Sequence, residues 1–472
     1  MRDPDAGKDT LREALLDCSL GLLLLLVAGV VPAASAAPPA REVASGLARL
    51  GPRPDGGPNQ EKAVAFLTGA LRQAGLREIR TVPVAARPSV VNLEGVLPGE
   101  TDREIVLSAH YDTVKQSPGA DDDASGCGLA IAAAASLARS PLRHTLRVVL
   151  FDGEEKGLLG SRGWVEALSP EARERILADV NLEMVGWAGS TGPTVHAIPI
   201  AAIPVASKLE KGRRERVTTP GWLVGAALEG GRSADWRLHL ADPRFPLAMQ
   251  LLLRGTRVRF GADSGAFLER GIPAVTLSDS SFFALDPVYH RPADTVDRLD
   301  AGRLEAWTRA VVATVRRLDR LGGRPAAEGE YLVLAGRVWS RWALAGIGLG
   351  LAVLLVVRHR FPLEQGFPVL LAAASVVAPT LAIPLLAPAA LLAFVRPAGR
   401  WRRVLWTFLG LLPFLLYLLL LAGAFAARLS SWKAGYQESW TGAALVIGAL
   451  VVFALTPRAP AAGGAPPDRP AS

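Results

Sequence analysis

Histidines and carboxylates that could share a metal ion fall in five short segments. They are His110-Tyr111-Asp112, Gly119-Ala120-Asp121-Asp122-Asp123-Ala124-Ser125-Gly126, Phe151-Asp152-Gly153-Glu154-Glu155-Lys156-Gly157, Asn181-Leu182-Glu183-Met184-Val185-Gly186 and Tyr289-His290-Arg291-Pro292-Ala293-Asp294-Thr295. Three adjacent carboxylates at 121–123 repel one another, and a cation is the obvious counter-charge. The flanking residues are small or apolar, which argues against a merely exposed acidic turn. Two adjacent glutamates at 154–155 can divide labour, one binding metal and the other serving as general base. The taste of a helix N-terminus for acids explains one of them but not both. Glu183 interrupts an apolar strand, where a lone carboxylate is costly unless paired or metal-bound. A histidine at a strand end is a weak sign by itself, although Asp112 can take its second ring N–H and fix the tautomer. Two His and four carboxylates suit zinc with no cysteine needed. A bridging carboxylate plus one His and one Glu per ion makes two similar sites. Two ions about 3.5–4 Å apart can clamp a water and polarise a carbonyl, leaving the remaining Glu to take the water's proton.

Residues 38–325 supply the elements that must position these groups. The pattern predicts strands over Ser89–Val96, Glu104–Ala109, Leu146–Phe151, Val180–Val185 and Pro273–Ser278. It predicts helices over Asn59–Gln73, Ser125–Ser140, Pro170–Ala178, Ser264–Arg270 and Ala301–Leu321. Such alternation implies an α/β fold with a mixed, largely parallel sheet flanked by helices. Each segment lies at or just after a strand's C-terminal end, where open α/β sheets carry their sites. Ser125 is the expected cap of the following helix. Pro193–Arg257 is the least regular stretch and reads as an insertion between core elements.

The five segments, in this order, resemble the co-catalytic di-zinc aminopeptidases, the family that includes bacterial leucyl aminopeptidases, aminopeptidase Y and glutamate carboxypeptidase II. The match runs from about Asn59 to Asp300. Its specific parts are the GADDDASG segment and the Glu154-to-Ser161 pattern EE-x-GL-x-GS. The resemblance implies a zinc aminopeptidase-like fold and two zinc ions per chain. His110 and Glu183 would hold one ion, Glu155 and His290 the other, and Asp122 would bridge. Glu154 would be the general base, with Asp112 supporting His110. Asp123, Asp263 and Tyr289 would contact the substrate, Asp123 at the rim facing a peptide's terminal amine. The sequence departs from the family at Glu183, where Asp is usual, and at Ser264, where many members have His.

The rest of the chain differs in character. Half of the 472 residues are hydrophobic and 20% are charged, which excludes a disordered protein. Residues 331–472 hold 12 Lys/Arg against 3 Asp/Glu, a net of +9. The whole chain is +8, so residues 1–330 carry about −1. The basic excess sits beside apolar runs, as membrane topology prefers, and no nucleic-acid motif accompanies it. Trp342–Val357, Phe367–Val395, Val404–Ala427 and Ser439–Pro457 contain no charged residue. They read as an α-helical transmembrane region over 341–458, with a lipid bilayer as partner, a linker at 326–340 and a disordered tail at 459–472. Pro379, Pro384 and Pro388, which interrupt Phe367–Val395, favour a hairpin that keeps both flanking basic loops inside. Residues 1–37 read as a signal peptide or N-terminal anchor, placing the peptidase domain outside the cytoplasm. Cys18 and Cys127 are not expected to pair. His144, His196 and His239 belong to no segment and read as ordinary residues.

The expected activity is therefore metal-dependent removal of N-terminal residues from peptides. Two other readings share part of the pattern. One is a single-zinc glutaminyl cyclase-like transferase. The other is a non-catalytic receptor or transporter-associated domain, which lost ligands would signal.

Overall fold

A computed structural model describes residues 38–190, 192–196, 203–204, 219–240, 257–258, 261–279, 286–326, 331–359 and 371. The strands are β1 (Arg77–Val84), β2 (Arg87–Leu97), β3 (Thr101–His110), β4 (His144–Phe151), β5 (Ile176–Glu183), β6 (Thr194–His196), β7 (Ile203–Pro204), β8 (His239–Leu240), β9 (Arg257–Val258), β10 (Ala274–Ser278), β11 (Tyr331–Leu334) and β12 (Arg337–Ser340). Eight of them form one sheet in the order β1-β2-β4-β3-β5-β10-β6-β8. Its centre, β4-β3-β5-β10, is parallel, while β2 and β6 join antiparallel at either side. The fold is thus mixed α/β with a largely parallel core.

Successive strand residues point to opposite faces. Ile105 and Leu107 of β3 join the larger core with α1 (Ala40–Ala48), α2 (Gln60–Gln73), α3 (Gly126–Leu137), α6 (Gly221–Ser233) and α8 (Ala301–Asp319). Val106, between them, joins Phe151, Trp164 and Phe267 in a smaller core against α4 (Leu159–Ala167) and α7 (Ser264–Glu269). The remaining helices are α5 (Pro170–Arg175) and α9 (Arg341–His359). Helix α3 is buried almost all round, which its Ala-rich sequence permits because small side chains let neighbouring backbones approach.

Several expectations change. The helix predicted over Pro170–Ala178 ends at Arg175, because Ile176 opens β5 beside Glu104. Pro193–Arg257 is not simply an insertion: β6 and β8 extend the main sheet, and Leu223, Val224 and Ala227 of α6 lie in the main core. Residues 331–340 are no open linker but the β11–β12 hairpin, with Tyr331 and Leu332 fully buried. The run Trp342–Val357 lies within α9. Its sixteen uncharged residues rise about 24 Å as a helix, short of a hydrocarbon core of about 30 Å. Among the described residues no helix is long and apolar enough to cross a membrane. Apart from Leu371, the other three apolar runs, the N-terminal segment 1–37 with Cys18 and the tail lie outside the described residues.

Candidate metal centre

The parallel strands β3, β4 and β5 end side by side, and their C-terminal residues carry the chemistry. His110 is the last residue of β3 and Glu183 the last of β5, while Glu154 and Glu155 follow β4 after one turn. Gly153 makes that turn possible with φ +69°, a conformation other residues adopt at a cost. Asp122 comes from the loop before α3, and His290 arrives from a turn after β10.

Two groups of ligand atoms, each drawn together within 4.8 Å, result: His110, Asp123 and Glu183, and Asp122, Glu155 and His290. Asp122 joins the two. Its Oδ1 lies 3.2 Å from His110 Nε2 and its Oδ2 lies 3.3 Å from His290 Nε2. Glu183 Oε1 stands 3.5 Å from His110 Nε2, and Glu155 Oε2 stands 2.8 Å from His290 Nε2. Neither imidazole Nε2 meets hydrogen-bond geometry to a neighbour, and neither does the buried Glu183 Oε2. Buried polar atoms normally find partners. Orphaned nitrogen and carboxylate atoms converging on shared space are what a bound cation satisfies, so the donor set fits zinc.

The electrostatics agree. Burial works to raise the Asp122 pKa, yet the two imidazoles outweigh it and hold the carboxyl at about 2. Burial lowers the pKa of His290, but Asp122 and Glu155 outweigh it and lift it to about 9. His110 is likewise raised, burial being outweighed by Glu183, Asp112 and Asp122. Burial drives Glu183 and Glu154 above the usual carboxylate range. The site thus gathers more negative charge than burial favours without cations.

Supporting groups fix this arrangement. His110 Nδ1 donates to the Asp112 carbonyl at 3.2 Å and stands 3.3 Å from Oδ1 of the Asp112 carboxylate, leaving Nε2 to face the site. Its two oxygens also accept the backbone N–H groups of Glu154 (3.1 Å) and Glu155 (3.3 Å). Asp123 is a correction to the rim assignment. It is fully buried, and its carboxylate accepts the backbone N–H groups of His110 (3.2 Å), Gly126 (3.0 Å) and Met184 (3.0 Å). With both oxygens committed it fastens β3, α3 and β5 together, and offers nothing to a substrate amine. It also performs the capping expected of Ser125. The Ser125 hydroxyl instead donates to Asp121 O and accepts from Val185 N. Asp263 is fully buried too, and burial holds its carboxyl at about 7. Buried so, it presents no open carboxylate to solvent. Tyr289 is half-buried and stacks on the His290 ring at 3.7 Å. Cys127 is buried, with its Sγ donating to His110 O at 3.1 Å.

Three supports escaped the sequence reading. Asp294 accepts the backbone N–H groups of Asp121 (2.8 Å) and Asp122 (3.1 Å). It belongs to the segment that also carries His290, four residues upstream, which was its one visible signal. Asp152 takes Val91 N at 2.9 Å and the Gln60 amide. Arg53 is wholly buried behind the loop that joins His110 to Asp122.

A family model described as Peptidase family M28 matches residues 92–213 and 232–315, which include every ligand candidate above. The matched residues make up less than half of the chain. Among curated relatives, aminopeptidase YwaD of Bacillus subtilis (strain 168) is 27% identical over 213 residues, 45% of this chain and 40% of YwaD. The probable lipoprotein aminopeptidase LpqL of Mycobacterium tuberculosis is 33% identical over 212 residues, 43% of this chain and 40% of LpqL. The chain thus spans less than half the length of these two relatives. Among solved structures, the aminopeptidase from Aneurinibacillus sp. strain AM-1 superposes with a TM-score of 0.46 at 16% identity, covering 61% of this chain and 94% of that one. Porphyromonas gingivalis glutaminyl cyclase does so with 0.43 at 20% identity, covering 61% and 98%.

Proposed function

We propose that the chain is a zinc aminopeptidase that hydrolyses the N-terminal peptide bond at a two-zinc site. The observation that carries this reading is the pair of unsatisfied imidazole Nε2 atoms on opposite sides of Asp122. His110, Asp122 and Glu183 would hold one ion, and Asp122, Glu155 and His290 the other. Zinc supplies Lewis acidity, which polarises a carbonyl and makes water a better nucleophile at neutral pH.

The chain's own residues supply the rest. Glu154 feels the charges of His110 and Glu183, is the chain neighbour of Glu155 and belongs to neither ligand group, so it would be free to take a proton from the attacking water and return it to the leaving amine. Asp112 keeps His110 in one tautomer and braces the Glu154-Glu155 turn through two backbone N–H groups. Tyr289, stacked on His290, would orient a bound peptide. The test is hydrolysis of a panel of aminoacyl anilides by the purified chain, before and after chelation and after zinc is restored. Activity that chelator removes and zinc returns is expected. Cyclisation of N-terminal glutamine without anilide hydrolysis would favour the transferase instead.

We further propose that the peptidase unit is membrane-attached and faces away from the cytoplasm. On α9, Trp342, Val353 and Val357 are exposed at 67%, 61% and 72%, an apolar surface that water does not favour. Three further uncharged runs follow in the sequence. Alkaline extraction of membranes from producing cells checks this. The chain stays in the pellet if the proposal holds and enters the supernatant if it does not.

A further inference from the structure

We propose that Arg53 is a positioning residue, whose guanidinium clamps the two ends of the 111–119 loop and so sets the distance between His110 and Asp122. Arg53 precedes the residues matched by the family model and lies in the segment Gly51-Pro52-Arg53-Pro54-Asp55. It has no exposed surface. A buried cation is expensive unless its donors are satisfied. Arg53 satisfies them with backbone carbonyls. Its Nε donates to Tyr111 O at 2.8 Å, Nη1 to Pro118 O at 2.6 Å and to Gly51 O at 3.2 Å, and Nη2 to Gly119 O at 3.1 Å. The main chain adds two more ties to Thr113, from Arg53 N to Thr113 Oγ1 at 2.8 Å and from Thr113 N to Arg53 O.

The placement of these carbonyls matters. Tyr111 lies between His110 and Asp112, and Gly119 lies three residues before Asp122. The fork therefore holds both edges of the loop whose ends carry one metal-facing imidazole and the shared carboxylate. Gly119 must be glycine for this, since its φ is +58° and a Cβ there would come within 2.3 Å of Asp122 O. Among the described residues no carboxylate pairs with the guanidinium directly, so its charge acts at longer range on Cys127, Asp112, Asp294 and Asp122. Those neighbours only partly offset burial, which leaves the Arg53 pKa at about 10, still protonated at neutral pH.

The same segment reaches the other site-bearing turn. Asp55 is ion-paired with Lys156, next to Glu155, and with Arg87 at 3.0 Å. Gln60 donates to Asp152, two residues before Glu154. Residues 53–60 thus brace both the His110–Asp122 loop and the Glu154–Glu155 turn. Lysine cannot replace Arg53, because a single ammonium cannot reach Tyr111 O and Gly119 O in the fork's fixed geometry.

This inference rests on the metallopeptidase reading, and the experiment separates the two. Full-length wild type, Arg53→Lys and Arg53→Met are titrated with a zinc chelator, and kcat and KM are measured on one aminoacyl anilide at full zinc loading. Loss of a residue that orients metal ligands costs about 10–100-fold in metal affinity or activity. Arg53→Lys is therefore expected to fold, to lose zinc at about tenfold lower chelator and to drop in kcat, with KM within about threefold of wild type. A merely structural role would lower the melting temperature and leave zinc affinity and kcat of the folded protein unchanged, and that result overturns the proposal. If Arg53→Met does not accumulate, Arg53→Lys alone decides. A wild-type chain that binds no zinc and cleaves no anilide refutes the underlying reading instead.

Discussion

Replacing Glu154 with glutamine separates base catalysis from metal binding. The side chain keeps its size, and its backbone N–H still donates to Asp112 Oδ1 at 3.1 Å, so the turn after β4 stays in place. Glu154 belongs to neither ligand group, so both groups survive the change. Only proton acceptance is lost. A positioned general base contributes about 10²–10⁴-fold, which corresponds to roughly 3–5 kcal/mol in the barrier. Burial raises the Glu154 pKa, meaning that its charged form is disfavoured where it sits. Glutamine removes that charge, and the melting temperature is not expected to fall. The assay measures zinc by mass spectrometry and turnover of an aminoacyl anilide on one preparation. Zinc equal to wild type with kcat lowered at least about a hundredfold is the expected pair of results. Turnover within tenfold of wild type would falsify the base assignment. Zinc lost along with activity would make Glu154 a ligand.

Further expectations concern the shared carboxylate, the loop glycine and the buried acids. Asp122→Asn weakens both metal positions at once, whereas His290→Ala weakens mainly one; zinc titration of each variant shows two weakened events or one. Gly119→Ala places a Cβ against Asp122 O in a backbone conformation alanine resists, so zinc affinity falls while far-ultraviolet circular dichroism is kept. Asp279 is fully buried against Arg303 Nη1 (2.9 Å) and Trp307 Nε1 (3.0 Å), yet burial holds its pKa at about 7 against an ordinary 3.8. The folded state therefore binds this proton more tightly than the unfolded state. Stability contributed at low pH is lost as pH rises from about 4 through 7. Asp279→Asn keeps an acceptor for both donors, and its melting temperature relative to wild type is expected to rise between pH 5 and pH 8. A difference that is flat with pH contradicts the assignment.

Much of the site was legible because its residues break local rules. Glu183 is an acid closing an apolar strand, and Asp121–Asp123 is a run of like charges among small residues; each demanded an external counter-charge. The sheet followed from the predicted runs Glu104–Ala109, Leu146–Phe151 and Val180–Val185, although the third strand ends at Glu183, two residues sooner than predicted. What stayed hidden depends on contacts distant in sequence. Asp123 and Asp122 are chemically identical neighbours, and only the backbone N–H groups of Gly126 and Met184 reveal which one faces inward. Arg53 sits in a Gly/Pro-rich stretch that reads as a loop and Gln60 in the first turn of a predicted helix, and their partners lie 58 and 92 residues away. Strand β1 was missed because its pattern is mostly exposed, as an edge strand can be. The hairpin at 331–340 was missed because Ala335-Gly336 is a short turn signal beside a Gly/Pro/Glu-rich joint.

The central claim is that His110, Glu183, Asp122, Glu155 and His290 hold two zinc ions together. Chelator-stripped protein titrated with zinc, followed by calorimetry and by aminoacyl anilide hydrolysis on the same samples, tests it most directly. The account predicts saturation at two zinc ions per chain, with full activity only as the second is taken up. Saturation at one ion with full activity, or activity that chelation never removes, would contradict it.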